Sequence, residues 1–243
     1  MKSLVFFAVS ALAVAGCAFR NAGLSPDPSC PDAQPLEPGY ERLFNGKDLD
    51  GWIGATNLYY AENGELVFKE GEKNFGNLFY HKKFANFNVR FQFKLVPNGN
   101  NGFAFRAGDE TIGGGALIGG NTAITDAGYN GMEIQILDDT GSLKQKNKAW
   151  QYCGSIYGVC AAQKGHLRPV GEWNDYDITA DGDCITVVLN GVTILSTSIK
   201  DLDTKGGTPD GKAHPGLHNK TGYLGFLGHT MPVRMRNIRI KEL

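Results

Sequence analysis

Residues Phe87 to Val96 read FNVRFQFKLV, and they alternate without a break. Phe87, Val89, Phe91, Phe93 and Leu95 point one way; Asn88, Arg90, Gln92 and Lys94 point the other. A period of two marks a strand with one face buried, because successive side chains leave an extended backbone on opposite sides. An apolar face this rich in phenylalanine needs a second layer to cover it. Strand signals recur at Phe103–Arg106, Met132–Leu137, Asp175–Thr179, Cys184–Leu189, Val192–Thr197, Tyr223–Leu227 and Val233–Lys241. Asn190-Gly191 marks a tight hairpin and Asn100-Asn101-Gly102 a second turn. Helical periodicity is nearly absent. The expected fold is all-β: two antiparallel sheets packed as a sandwich or jelly roll.

Residues 39–243 are enough for one domain with a real core. Within them, Thr111 to Ala127 is Gly-rich and weakly patterned, and so long a loop in a compact domain is more often functional than idle. Lys and Arg total 24 against 25 Asp and Glu, a net charge of −1. That balance lacks the basic excess of a nucleic-acid binder.

The N-terminus reads as an address. Lys2 supplies a positive charge, and Leu4 to Ala15 is apolar apart from Ser10, the layout of a secretory signal. The run is shorter than the roughly 20 residues that span a bilayer. It ends in Val14-Ala15-Gly16-Cys17, which resembles a bacterial lipobox. Residues 1–16 are then the removed signal and Cys17 carries lipid; the alternative is a plain signal peptide with a chance cysteine. Ala18 is not the Asp that retains lipoproteins in the inner membrane, so the expected location is the outer membrane, on its periplasmic or surface face. Contact with the membrane is through the lipid alone. Residues 17–38, with Pro26, Pro28, Pro31, Pro35 and Pro38, read as a semi-rigid tether. An exported chain permits disulfides. Cys153 and Cys160, close in sequence, are the expected pair, with Cys30 and Cys184 as the second; a zinc site is the rival reading, with unsuitable sulfur spacing.

Chemistry concentrates in Gly131–Asp139, GMEIQILDD. In a strand, Glu133 and Gln135 share one face and Ile134 and Ile136 the other. A one-residue bulge would bring Asp138 onto the polar face, giving E-x-Q-x-x-D. A Glu in so apolar a strand is paired or functional, unless the strand is an edge and the Glu faces water. The pattern resembles the E-x-D-x-x-E strand of laminarinase-type retaining glycosidases. Those enzymes need carboxyls about 5–5.5 Å apart. Same-face Cα atoms are spaced roughly 6.6 Å apart, and a short Asp at the far end makes that closure harder. Arg106 could clamp a sugar oxygen or make a surface salt bridge. His229, just after a strand, could be a general acid or base or a structural histidine. His214 and His218 read as loop residues. Trp52, Trp150, Tyr157 and Trp173 could stack on sugar faces, though core packing is the commoner fate of such rings. The Gly113–Gly120 stretch lacks the Lys-Ser/Thr of a phosphate loop, and no G-x-S-x-G elbow is present.

The ordered motifs point further. They include LFNGKDLDGW at Leu43–Trp52, Glu65-Leu66-Val67, Phe84 to Phe93, Asn101-Gly102-Phe103 with Phe105-Arg106, and the Glu133 strand. Gly154-Ser155-Ile156-Tyr157-Gly158, Gly171–Tyr176, Leu189-Asn190-Gly191-Val192, Gly222 to His229 and Arg236–Ile240 complete them. From Tyr40 to Leu243 the chain resembles the 3-keto-disaccharide hydrolase domain family. The resemblance implies a concanavalin-like jelly roll, frequent lipid anchoring, and a sugar substrate already oxidised to a ketone at C3. That ketone acidifies the C2 hydrogen; a base removes it, the C1 group leaves by β-elimination, and water adds to the enone. Glu133 and His229 are then the candidate base and acid, in either order, and Arg106 or a divalent ion holds the enolate. Gln135 and Asp138 orient hydroxyls or bind that ion, and Tyr157 and Trp173 contact the sugar. The alternatives are a non-catalytic carbohydrate-binding lipoprotein and a laminarinase-like hydrolase.

Overall fold

The computed structural model describes residues 36–71, 76–112, 126–141, 146–202 and 207–243. Cys17, Cys30, the leader and most of the tether lie outside the described residues, as do residues 113–125 of the Gly-rich loop. The elements are β1 (Glu41–Arg42), β2 (Trp52–Gly54), β3 (Tyr59–Glu62), β4 (Glu65–Phe68), β5 (Gly76–Tyr80), β6 (Phe87–Lys94) and β7 (Asn100–Ala107). They continue with α1 (Ala127–Asn130), β8 (Met132–Leu137), β9 (Trp173–Asp181), β10 (Cys184–Leu189), β11 (Val192–Ser198), β12 (Tyr223–Gly228) and β13 (Arg234–Glu242). Among the described residues, eight strands form one antiparallel sheet in the order β11-β10-β9-β6-β13-β4-β3, with β1 beside β13. Five form the second, β2-β5-β12-β7-β8. This is the expected two-sheet jelly roll. No helix among the described residues is long and apolar enough to cross a membrane.

β6 does what its alternation dictates. Phe87, Val89, Phe91 and Phe93 are buried between the sheets, where the Phe91 ring meets Phe103 at 5.3 Å and Phe226 at 5.4 Å. Each such ring adds roughly 1.5–3 kcal/mol by leaving water. On the outer face, register sets Arg90 against Asp177 and Gln92 against Asp175. Arg90 Nε donates to Asp177 Oδ2 at 2.8 Å, and Gln92 Nε2 to Asp175 Oδ1 at 2.7 Å. The Asn190-Gly191 hairpin forms as read, with φ of 52° and 83° at its two central residues.

The structure corrects three expectations here. Asn100-Asn101-Gly102 is not a turn: it opens β7, pairing with Leu137, Ile136 and Gln135, and the chain turns earlier, where Gly99 N–H donates to Val96 O at 2.8 Å. Trp173 opens β9 in the eight-stranded sheet, between Lys94 Nζ at 4.4 Å and Arg236 Cζ at 4.0 Å from its ring centre, so it does not line the cleft described below, where it was expected to contact a ligand. The Cys153–Cys160 disulfide is not formed. Cys153 is buried with its Sγ 3.0 Å from Tyr176 Oη in β9, while the Cys160 thiol pairs with Thr197 in β11, so the two sulfurs serve different strands. Cys184 is exposed and has no disulfide partner among the described residues; its expected partner, Cys30, lies outside them.

Candidate active site

One face of the five-stranded sheet is core; the other is the floor of a cleft of about 790 Å³. Register defines the floor. Glu133, Ala104, Gly225 and Phe79 form one cross-strand row, and Gln135, Gly102, Leu227 and Asn77 the next. Ile134 and Ile136 point into the core, as the alternation of β8 requires. Gly102, Ala104 and Gly225 leave a depression that the Glu133 side chain fills. A Cβ on Gly102 would stand 2.0 Å from Glu133 Oε1, and one on Gly128 would stand 2.7 Å from Oε2.

Glu133 is only 6% exposed, yet it lines the cleft. Among the described residues no hydrogen bond reaches its carboxyl. Its pKa is pushed up to about 8, by burial first and then by the charge of Asp126. Asp126 caps α1: its Oδ1 accepts the Gly128 N–H at 2.9 Å, and burial raises its own pKa. Beyond β8, residues 154–157 run alongside as a further edge. Gln135 N–H donates to Ser155 O at 3.0 Å, and Tyr157 N–H to Glu133 O at 2.9 Å. These bonds set the Tyr157 ring in the cleft, braced edge-on by Trp150 at 5.3 Å.

The opposite wall comes from α1 and the 207–218 loop, through Tyr129, Asn130, Lys212, Ala213 and Pro215. Asp210 organises that loop. Its Oδ1 accepts from Lys212 N–H at 3.0 Å and Thr208 Oγ1 at 2.7 Å, and its Oδ2 lies 3.1 Å from His214 Nε2. The Asp210 and His214 side chains are almost wholly buried, and the His214 ring lies 4.6 Å from the Tyr129 ring. Burial pushes the Asp210 carboxyl up, but the hydrogen bonds from Thr208, Lys212 and His214 outweigh it and hold the carboxyl low.

Of the residues expected in the site, Glu133, Gln135, Tyr157 and His229 line the cleft. His229 follows β12, four residues beyond Gly225 in the Glu133 row. That is roughly 13 Å along the strand direction, so the two side chains stand well apart along the cleft floor. Arg106 is elsewhere. The β7–β12 register shifts between Tyr223 and Gly225, and Arg106 takes a left-handed φ of 51°, which turns it out of the row. Its Nε and Nη2 donate to Ala85 O at 3.1 and 3.0 Å. Asp138 is also spoken for: it accepts from Asn98 N–H at 2.8 Å and Thr140 Oγ1 at 2.6 Å, closing the turn before β7. The E-x-Q-x-x-D face therefore lacks its last member, and Gln135 and Asp138 form no joint ion site. Among the described residues no group of three or more His, Cys, Asp or Glu is placed to hold a metal ion.

Sequence reasoning missed Asp126, Tyr129, Asp210 and Lys212. Asp126 carried a signal, an N-cap residue closing the Gly-rich loop. Asp210 and His214 also stood at the four-residue spacing that lets a carboxylate meet an imidazole. His214 does belong to a loop, but its ring is buried in the wall behind the cleft.

Across residues 39–241 the chain matches the family described as the 3-keto-alpha-glucoside-1,2-lyase-like domain. A 3-keto-disaccharide hydrolase of Bacteroides thetaiotaomicron is 25% identical over 234 residues, which cover 84% of this chain and 79% of that protein. A crystal structure from Parabacteroides distasonis, provisionally described as a glycosyl hydrolase, superposes with a TM-score of 0.69 at 25% identity. The match covers 84% of this chain and 99% of the other. A second crystal structure from that organism with the same provisional description gives 0.67 at 24% identity, over 84% of this chain and 94% of its own, and bears on fold alone.

Proposed function

The chain belongs to the 3-keto-alpha-glucoside-1,2-lyase-like domain family, and from that premise we propose that it is a carbohydrate-active hydrolase that cleaves glycosides oxidised at C3. The supporting observation is Glu133, a buried carboxyl with no hydrogen-bond partner among the described residues, aimed into a cleft lined by amides and phenols. Burial makes its carboxylate an unusually strong base, suited to a hydrogen on carbon next to a ketone. Glu133 takes the proton from C2, and the C2–H electrons pass into the enolate. As the C3 carbonyl re-forms, C1=C2 forms and the C1–O1 bond breaks. O1 leaves with the proton held by Glu133, and water then adds across C1=C2. A single proton carrier suffices, which suits the separation of Glu133 from His229. His229, Gln135, Asn77 and Asn100 bind sugar hydroxyls along the floor. Ordinary retaining hydrolysis by the β8 strand is disfavoured because Asp138 faces away.

We also propose that Cys17 carries lipid and holds the domain at the cell envelope by the tether before residue 39. The chemical reading is tested by Glu133→Gln. Loss of at least about 100-fold in turnover of a 3-keto glycoside is expected. Turnover near wild type would remove Glu133 from the mechanism.

A further inference from the structure

Elimination is only half of hydrolysis. Water must then add to C1 of the enone, and a water that attacks one carbon has to be held beside it. Glu133 has a second carboxyl next to it. Gly128 in α1 has no side chain, and a Cβ on it would stand 2.7 Å from Glu133 Oε2 and 3.2 Å from Asp126 Oδ1. The two oxygens are therefore no more than about 6 Å apart, a gap that one water bridges with two hydrogen bonds of roughly 2.8 Å. Both residues line the cleft.

We propose that the Asp126 carboxylate binds the water that adds to C1 and holds it against Glu133, so that turnover ends in the free keto sugar rather than in the enone. This rests on reading the cleft as a 3-keto-glycoside site. Once O1 has left with its proton, Glu133 is a carboxylate again. The water oxygen bonds to C1, one water proton passes to Glu133, and the C1=C2 electrons move into an enolate at C3. As the C3 carbonyl re-forms, C2 takes that proton from Glu133. Asp126 accepts a hydrogen bond from the other O–H of the water and stays a carboxylate throughout. The sum is one water added across C1=C2.

The surroundings of the two carboxyls divide the roles. Glu133 is 6% exposed, aimed into the cleft, and receives no hydrogen bond among the described residues, so it is the partner that takes up a proton readily. Burial raises the Asp126 pKa too, but the Gly128 N–H and the charges of Lys212 and His214 oppose that rise and favour its ionised form. The helix cap occupies one Asp126 oxygen. Gly128 N–H donates to Oδ1 at 2.9 Å and, among the described residues, is the one donor to this carboxyl, which leaves Oδ2 as an acceptor for a ligand. The same cap fixes the side chain at the head of α1, so the acceptor is in place before the enone forms.

The test compares the full chain with Asp126→Asn and Asp126→Ser on 4-nitrophenyl glucoside oxidised at C3. Reactions are quenched within the first turnovers. Enone and free keto sugar, which differ by one water, are separated by chromatography and quantified by mass spectrometry. Asn and Ser both cap helices, and circular dichroism confirms that each variant is folded. In Asn the amide oxygen takes the Gly128 N–H and leaves a donor where Oδ2 accepted; Ser leaves no group there. In both variants the ratio of enone to keto sugar is expected to rise about 10- to 100-fold over wild type. An inactive fraction of protein lowers both products together and does not move the ratio. A wild-type ratio in both folded variants overturns the Asp126 assignment. So does a folded variant that releases no nitrophenol, which would place Asp126 in the elimination, and so does a wild-type chain that accumulates enone alone. In each of these cases nitrophenol release by the wild type leaves the cleft reading standing. A wild-type chain that releases nothing from 3-keto glycosides overturns both.

Discussion

Glu133 Oε1 occupies the space that a Cβ on Gly102 would need, with 2.0 Å between the two positions. The register that sets Gly102 beside Gln135, one row from Glu133, makes this glycine the seat of the proposed base. Its φ is not in the left-handed region, so alanine there is not strained by backbone. The side chain must yield instead. Gly102→Ala is expected to swing the Glu133 carboxyl aside and lower turnover at least tenfold while the melting temperature changes little. A crystal structure of the variant together with its kcat checks both parts.

The raised pKa of Glu133 has a thermodynamic sign. The native carboxyl titrates at about 8 against a usual 4.5, so the native state holds a proton that the unfolded chain has lost between those values. Its contribution to stability is fully present below about pH 4.5 and is lost as the pH rises through 8. Glu133→Gln removes the titration and keeps the shape. The variant is expected to melt above wild type at pH 9, with the gap shrinking toward pH 5. Melting curves of both proteins across that range decide it.

Arg106 is a structural residue in this geometry. Arg106→Ala removes the two hydrogen bonds that this buried guanidinium donates to the Ala85 carbonyl. The expected loss is about 1–3 kcal/mol of stability, with kcat of the folded protein unchanged. Denaturant melts beside saturating kinetics separate the two effects. A selective collapse of kcat would return Arg106 to the mechanism.

Much of this was legible in the sequence because periodicity is a local signal. The alternation of β6 and the E-x-Q spacing of β8 gave the buried and the cleft-facing residues correctly. β4 and β5 were not read as strands from their pattern, since Leu66, Val67 and Phe68, and likewise Leu78 and Phe79, are buried consecutively rather than alternately. The site was half legible. Glu133 and Gln135 lie on one strand, where spacing fixes their direction. Arg106 and Asp138 were misplaced because a bulge and a turn, which spacing cannot reveal, redirect them. Lys212 reaches the cleft from a segment far away in sequence, and Tyr129, only four residues before Glu133, comes from a short helix that the pattern does not announce, so the tertiary fold alone shows that they share the cleft.

The proposed anchor is checked by expressing the full chain and a Cys17→Ser variant in a bacterial host and separating membranes from soluble fractions. The wild-type chain is expected with the membranes, and mass spectrometry should find acyl groups on Cys17. The variant should be soluble or retain its leader. An unmodified Cys17 in a membrane-free chain would leave a plain signal peptide.

The most direct test of keto-glycoside cleavage is aglycone release by the purified full chain from a glucoside and from the same glucoside oxidised at C3, assayed side by side by chromatography. Release from the 3-keto form alone, abolished by Glu133→Gln, is the expected result. Equal release from the unoxidised glucoside, or sugar binding without release from either, would contradict it.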